Sequence, residues 1–323
     1  MLDTVTEDAA SPHAALRDEV RAVMERDGLT QRQVADESGI AYGTLTPFMG
    51  GTYKGDLNRV GDQLRRWLET RRERTRTVAN LPPELGFVAT PTALEIHGIL
   101  SFAQAAQDFA AIVGAAGIGK TLAADAYLRG ASNVWMLTAD PTVRRARTLL
   151  SLLAEDLNVS ERRPAFMSRA VSARVRGRAG LVVIDDAQHL TSEALDLLRT
   201  TVVDLGRCGV VVIGNEAILT HLQGSADRRT QALAQLHSRV GMRKTQPAAK
   251  PKDISMIIAH WGVRAPEAVK LLTVVARKPG ALRVMGKVIR LAALLAGTGA
   301  AADVTASHVE RAWSQLSSQQ IEA

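Results

Sequence analysis

Gly114-Ala115-Ala116-Gly117-Ile118-Gly119-Lys120-Thr121 follows the apolar run Phe109-Ala110-Ala111-Ile112-Val113 and precedes an alanine-rich stretch of helical pattern. The order strand, glycine-rich turn, helix decides the fold: it reads as a phosphate-binding loop opening a doubly wound α/β domain. Glycines let backbone N–H groups close around phosphate oxygens, and the next helix aims its positive dipole end at the same anion. Gly114, Gly117 and Gly119 are therefore expected to form the cradle. Lys120 reaches the outer phosphates and the Thr121 hydroxyl serves a Mg2+ ion. The cofactors this pattern predicts are ATP and Mg2+.

A metal held by Thr121 needs a carboxylate, and Leu181-Val182-Val183-Ile184-Asp185-Asp186 offers one. Four consecutive apolar residues predict a strand buried on both faces of a parallel sheet, and such sheets bind ligands at their carboxyl ends. Asp185 is thus expected beside Thr121 as the second metal ligand. Asp186 is placed to orient or deprotonate the attacking water, with a shorter reach than glutamate and hence slow turnover. Val210-Val211-Val212-Ile213 predicts another buried strand with Asn215 at its end, where an amide holds the same water. Arg239, in His237-Ser238-Arg239-Val240, is the candidate arginine finger, with Arg228 and Arg229 as rivals. Lys278-Pro279-Gly280-Ala281-Leu282-Arg283 opens a helix whose Arg283 reaches the nucleotide.

Composition agrees with these demands. At 323 residues with 46% apolar content, the chain fills a sizeable core and divides into two or three domains. Lys and Arg outnumber Asp and Glu by 40 to 33, and the resulting charge of +7 favours polyanionic partners. Nine arginines between positions 140 and 180 face four carboxylates. Arg144, Arg145, Arg162, Arg163 and Arg169 are the candidates for a DNA backbone, Arg162 and Arg163 foremost. Arg174, Arg176 and Arg178 either join them or cover a helix surface. The single Cys208 forms no internal disulfide, and the seven scattered histidines show no metal-site spacing. His189 lies nearest the chemistry and is read as structural. No apolar run approaches the roughly 18 residues that span a bilayer, so a soluble protein of the bacterial cytoplasm is expected.

Four segments are expected: a helix-turn-helix domain at 1–74, a linker at 75–91, the α/β nucleotide-binding domain at 92–250 and a helical lid at 251–323. In the first, Leu16, Val20 and Val23 recur at helical spacing, Gly28 ends that helix and Thr30 caps the next. Ala35 and Gly39 stand where two helices approach and turn. Tyr42, Thr44 and Thr46 would then face DNA. Pro47 shortens or distorts this recognition helix, so contact with phosphates rather than strict readout is expected. Arg71, Arg72, Arg74 and Arg76 lead into Pro82-Pro83. Strands are expected near 109–113, 133–138, 180–184, 209–214 and 241–246. Four amphipathic helices follow from Lys252.

Taken in order, Ser38-Gly39, Phe87-Val88-Ala89-Thr90-Pro91-Thr92, the phosphate loop, Asn133-Val134-Trp135-Met136, Val183-Ile184-Asp185-Asp186-Ala187-Gln188-His189-Leu190, Gly214-Asn215, Ser238-Arg239 and Lys278-Pro279-Gly280-Ala281-Leu282-Arg283 resemble the Mu transposition protein B family. The resemblance spans nearly the whole chain. It implies an AAA+ P-loop ATPase that polymerises with ATP into a helical filament on double-stranded DNA of any sequence, captures that DNA for a transposase and is stimulated by it. Asp186 departs from the family's glutamate, and Pro47 departs in the recognition helix. A second reading stays open, in which the helix-turn-helix binds a specific operator and nucleotide only gates assembly.

Overall fold

Odd and even positions of β1 (Phe109–Gly114) enter different cores. Phe109, Ala111 and Val113 join one apolar cluster while Ala110 and Ile112 join another, so the strand is covered on both faces. In β3 (Leu181–Asp185) and β4 (Gly209–Gly214) the division repeats: Val182, Ile184, Val210 and Val212 belong to the first cluster, Leu181, Val183, Val211 and Ile213 to the second. A half-buried β2 (Val134–Thr138) and β5 (Val240–Gln246) complete a five-stranded sheet ordered β2-β3-β4-β1-β5, with every neighbouring pair parallel. All five strands begin and end within two residues of the expected positions. The computed structural model describes residues 13–218 and 240–317.

Helices pack on both faces because parallel neighbours need crossovers. α5 (Pro91–Ala106) and α6 (Lys120–Gly130) supply Ile96, Leu100, Ala123 and Ala124 to the second cluster. The first is filled from α7 (Ala146–Asp156), α8 (Pro164–Val175) and α9 (Ser192–Leu198), through Leu149, Leu153, Val171 and Leu195. Since β1 lies between β4 and β5, the chain leaves it for the far edge and later returns to either side. The carboxyl end of β1 is therefore a topological switch point, where open α/β sheets place ligands.

After β5 the chain is helical, as expected from Lys252 onward. α10 (Pro251–Trp261), α11 (Pro266–Ala276), α12 (Ala281–Ala296) and α13 (Ala306–Ser317) close their own core around Ile258, Leu272, Met285, Ile289, Val309 and Trp313. Proline at the first turn of α10 and α11 supplies a preset φ where no backbone donor is needed.

Residues 13–81 form a separate compact unit. α1 (Ala14–Asp27) ends at Gly28 with φ 63°, and Thr30 opens α2 (Gln31–Ser38) with a reciprocal capping box to Gln33. Gly39, at φ 70°, turns the chain into α3 (Tyr42–Met49), which spans only eight residues and contains Pro47. α4 (Leu57–Ala79) then covers the others with Val60, Leu64, Trp67 and Leu68. It runs beyond Arg74 through 75–79, where no Gly or Pro interrupts it, and stops only ahead of Pro82-Pro83. Arg71, the first of the basic run that leads into Pro82-Pro83, joins two helices: it donates to Asp27 at 3.0 Å and to Glu37 at 2.6 Å. Arg72 pairs with Glu19.

Phe48 is fully buried in this unit. Phe48→Ala is expected to lower the stability of α1–α4 by about 3–5 kcal/mol. Hydrogen exchange of their amides in the full-length protein checks this, and a loss below about 1 kcal/mol would contradict the packing described.

Candidate functional site

Backbone geometry builds the loop between β1 and α6. Gly117 and Gly119 have φ of 81° and 95°, a region costly for residues with a Cβ. At Gly114 a Cβ would stand 2.7 Å from the Gln246 carbonyl oxygen, because the loop presses against the end of β5; the N–H of Ala115 donates to that same oxygen at 3.1 Å. α6 starts at Lys120 with no side-chain cap, so its first N–H groups are left for another acceptor.

Lys120 Nζ donates to the carbonyls of Gly114 and Ala115, both at 2.8 Å. Burial pushes its pKa below the ordinary lysine value and Arg283 adds to this, while Asp185 and Asp186 pull the other way. Its ammonium is thus held at the mouth of the loop, poorly solvated, where a phosphate oxygen would be a strong partner.

Thr121 donates its hydroxyl to Asp185 Oδ2 at 2.6 Å. Asp185 is 3% exposed, and its other oxygen accepts the N–H of Asp186 at 2.9 Å. β1 and β3 are not neighbours, since β4 lies between them. The contact therefore requires three strand ends at one level. A hydroxyl and a carboxylate are hard oxygen ligands, and beside a glycine-rich cradle they would fit a Mg2+ ion.

Asp186 is exposed at φ 50° and starts a single turn of 3-10 helix, Ala187–His189. Asn215 follows β4; its side-chain oxygen accepts the N–H of Ala217 at 3.0 Å. Arg283 lies in the first turn of α12 and its backbone N–H donates to the Gly117 carbonyl at 3.3 Å. A Cβ on Gly117 would stand 2.0 Å from the Gly280 oxygen and 3.2 Å from Arg283 Cβ. The lid thus touches the phosphate loop directly. Gly114, Gly117, Gly119, Lys120, Thr121, Asp185, Asp186, Asn215 and Arg283 all lie at strand carboxyl ends or against this loop. Arg239 and its rivals Arg228 and Arg229 lie outside the described residues.

One buried network was missed in the sequence. Thr92 near the start of α5 donates its N–H to Asp253 at 3.2 Å and its hydroxyl to the same carboxylate, while Gln246 Nε2 donates to the Thr92 hydroxyl oxygen at 2.9 Å. Asp253 is fully buried. Through the Gln246 carbonyl this network reaches Ala115, so α5, β5, α10 and the phosphate loop are tied together. An acid in the first turn of a helix is commonplace, so no signal in the sequence marked it.

The arginines between β2 and β3 divide by their partners. Arg163 donates to Glu161 at 2.8 and 3.0 Å and lies 4.6 Å over Phe166, and it holds the Glu161 carboxyl down to about 2. Arg162 donates to the Val159 carbonyl at 2.9 Å. Arg174, Arg176 and Arg178 donate to the carbonyls of Leu157, Leu205 and Arg174, and so brace their own helix and its neighbours. Arg144, Arg145, Arg147 and Arg169 are exposed, with no ion pair to a described residue. In the separate N-terminal unit Tyr42 is exposed, Thr44 half-buried, and Thr46 donates to Gln31 at 3.1 Å.

Lid docking rests on the missing side chain of Gly117. Gly117→Ala is expected to speed amide exchange at residues 280–284 by about tenfold, whereas Gly98→Ala on α5, with nothing within 4 Å of its Cβ and no positive φ to strain, leaves them unchanged. Equal exchange in both variants would contradict the contact.

Comparison with known proteins supports the same assignment. The family model described as Mu B transposition protein, C terminal, matches residues 238–316, and an AAA domain model matches residues 104–222. Over 283 residues the chain is 36% identical to the ATP-dependent target DNA activator B of Escherichia phage Mu, covering 87% of this chain and 88% of that protein. It is 31% identical over 260 residues to the Mu-like prophage FluMu DNA transposition protein B of Haemophilus influenzae, covering 80% and 89%. The Aeropyrum pernix ORC2 protein superposes with a TM-score of 0.53 over 75% of this chain and 71% of that one at 18% identity, a likeness of fold. With phosphate loop, buried aspartate and lid assembled on that fold, and with relatives matching along most of its length, the chain belongs to the Mu B transposition protein family.

Proposed function

We propose that this chain is an ATP-hydrolysing AAA+ protein that binds double-stranded DNA with little regard to sequence, assembles on it as an ATP-dependent helical oligomer and presents it to a transposase. The observation that carries the reading is the contact of Thr121 with Asp185 beside the Lys120 loop, with the lid docked on Gly117. The relatives' names, target DNA activator and DNA transposition protein, point the same way.

Each residue has a task in this reading. The loop amides and Lys120 bind the phosphates, and Thr121 and Asp185 hold Mg2+, which when bound neutralises charge on the phosphate oxygens. Asp186 accepts the proton of the attacking water. The water oxygen bonds to the γ-phosphorus, the bond from that phosphorus to the bridging oxygen breaks, and its electron pair leaves with ADP. Asn215 orients the water, Arg283 reads the nucleotide from the lid, and Arg239 from an adjacent subunit completes the charge stabilisation. Exposed Arg144, Arg145, Arg147 and Arg169 are free to meet DNA phosphates, with Tyr42, Thr44 and Thr46 of the N-terminal unit as further contacts.

Four arginines on phosphates give a slope of about −4 in log affinity against log salt, at roughly −0.9 per phosphate. Titrating unrelated duplexes at several salt concentrations, with ATP or ADP, is expected to return that slope with ATP only and equally for every sequence. Arg144→Ala is expected to reduce the slope by about 1. Tight, nucleotide-independent binding to one palindrome would overturn this reading in favour of an operator-binding regulator.

A further inference from the structure

The side chain of Gln188 connects two strand ends that carry reacting groups. Its Nε2 donates to Asp186 Oδ1 at 3.1 Å, and its Oε1 accepts the backbone N–H of Asn215 at 3.3 Å. A backbone N–H only donates and a carboxylate only accepts, so the orientation of the amide is determined: oxygen toward β4, nitrogen toward Asp186. Turning it over would set donor against donor and acceptor against acceptor. The approach also needs Gly214, where a Cβ would stand 2.4 Å from Gln188 Oε1.

Among the described residues, Gln188 is the side chain that donates a hydrogen bond to the Asp186 carboxylate. The carboxylate of Asp186 is otherwise exposed, on a residue held at φ 50°. With Oδ1 engaged, Oδ2 is left to take a proton from water. A short carboxylate has little freedom to find its geometry, and one amide bond removes most of what remains.

We propose that Gln188 is a positioning residue for hydrolysis, setting the Asp186 carboxylate from the end of β4 so that movement of Asn215 is passed to the group that activates water. This rests on the reading of Asp186 as that group. Gln188 touches neither nucleotide nor water. Its effect travels through a hydrogen bond on each side, and it belongs in kcat rather than in nucleotide binding.

The test is steady-state ATP hydrolysis by the full chain with Mg2+ and duplex DNA, in Gln188→Ala, Gln188→Glu, Asp186→Asn and the two double variants with Asp186→Asn. Gln188→Ala is expected to lower kcat about tenfold with KM for ATP within about twofold of the parent, the size of one lost hydrogen bond in the transition state. Gln188→Glu, nearly the same shape, keeps an acceptor for Asn215 but loses the donor to Asp186, so it is expected to lose at least as much. If Gln188 only fastened the turn to β4, Gln188→Glu would restore the parent rate, which overturns the proposal. In the Asp186→Asn background, removing Gln188 is expected to change the residual rate less than twofold, since coupled residues are not additive. An inactive Asp186→Asn with parent-like rates in both Gln188 variants overturns the positioning role alone. Parent-like hydrolysis by Asp186→Asn overturns the reading of Asp186, and the inference with it.

Discussion

The hydrogen bond from Thr121 to Asp185 is the constraint that the rest of the α/β domain serves. A buried carboxylate costs several kcal/mol unless its oxygens are satisfied, and here both are, by a hydroxyl and a backbone N–H. The N–H is local to Asp186, but the hydroxyl reaches Asp185 only if β1, β4 and β3 end together. The parallel register of β1 on β4 and of β4 on β3, locked by apolar side chains on both faces, makes them do so. Core packing thus reaches the chemistry through strand register: slipping one strand by a residue would turn its apolar set over and carry Asp185 away from Thr121.

The lid is tied to the phosphate loop at two places. One is the contact of Gly117 with Gly280 and Arg283, where the two backbones meet because Gly117 has no side chain. The other is the Thr92, Gln246 and Asp253 network, which reaches Ala115 through the Gln246 carbonyl. Whatever changes the shape of the loop therefore acts on α12 directly and on α10 through Gln246 and Thr92. Coupling of this kind is what a protein needs if nucleotide is to control assembly, because a ligand shifts an equilibrium only through contacts that differ between states.

Much of this was legible in the chain because the chemistry sits at the ends of unbroken apolar runs. Val210 to Ile213 and Leu181 to Ile184 read as strands covered on both faces, the habit of a parallel sheet, and Asn215 and Asp185 follow from where those runs stop. Gly28, Thr30 and Gly39 were readable for the same local reason, since caps and turns are made by neighbours in sequence. Partners far apart were not readable. Arg71 meets Glu37, 34 positions away, and Thr92 meets Asp253 across 161. Arg163 was expected to be free for DNA, yet Glu161 two residues earlier occupies its guanidinium. Charge counting sees the excess but not which members of it are already paired. Gln188 was visible only as part of a motif; its two hydrogen bonds depend on how β3 and β4 lie side by side.

The central claim is that Lys120, Thr121 and Asp185 grip the nucleotide and that this grip governs DNA binding. Lys120→Ala tests it most directly: calorimetric titration of ATP with Mg2+ into the full chain, followed by ATP-dependent coating of a long duplex. Removing a charged donor from phosphate costs about 1.5–3 kcal/mol, so ATP affinity is expected to fall at least tenfold. DNA coating should then lose its response to ATP while circular dichroism stays that of the parent. A Lys120→Ala protein that coats DNA with ATP as the parent does would contradict the account.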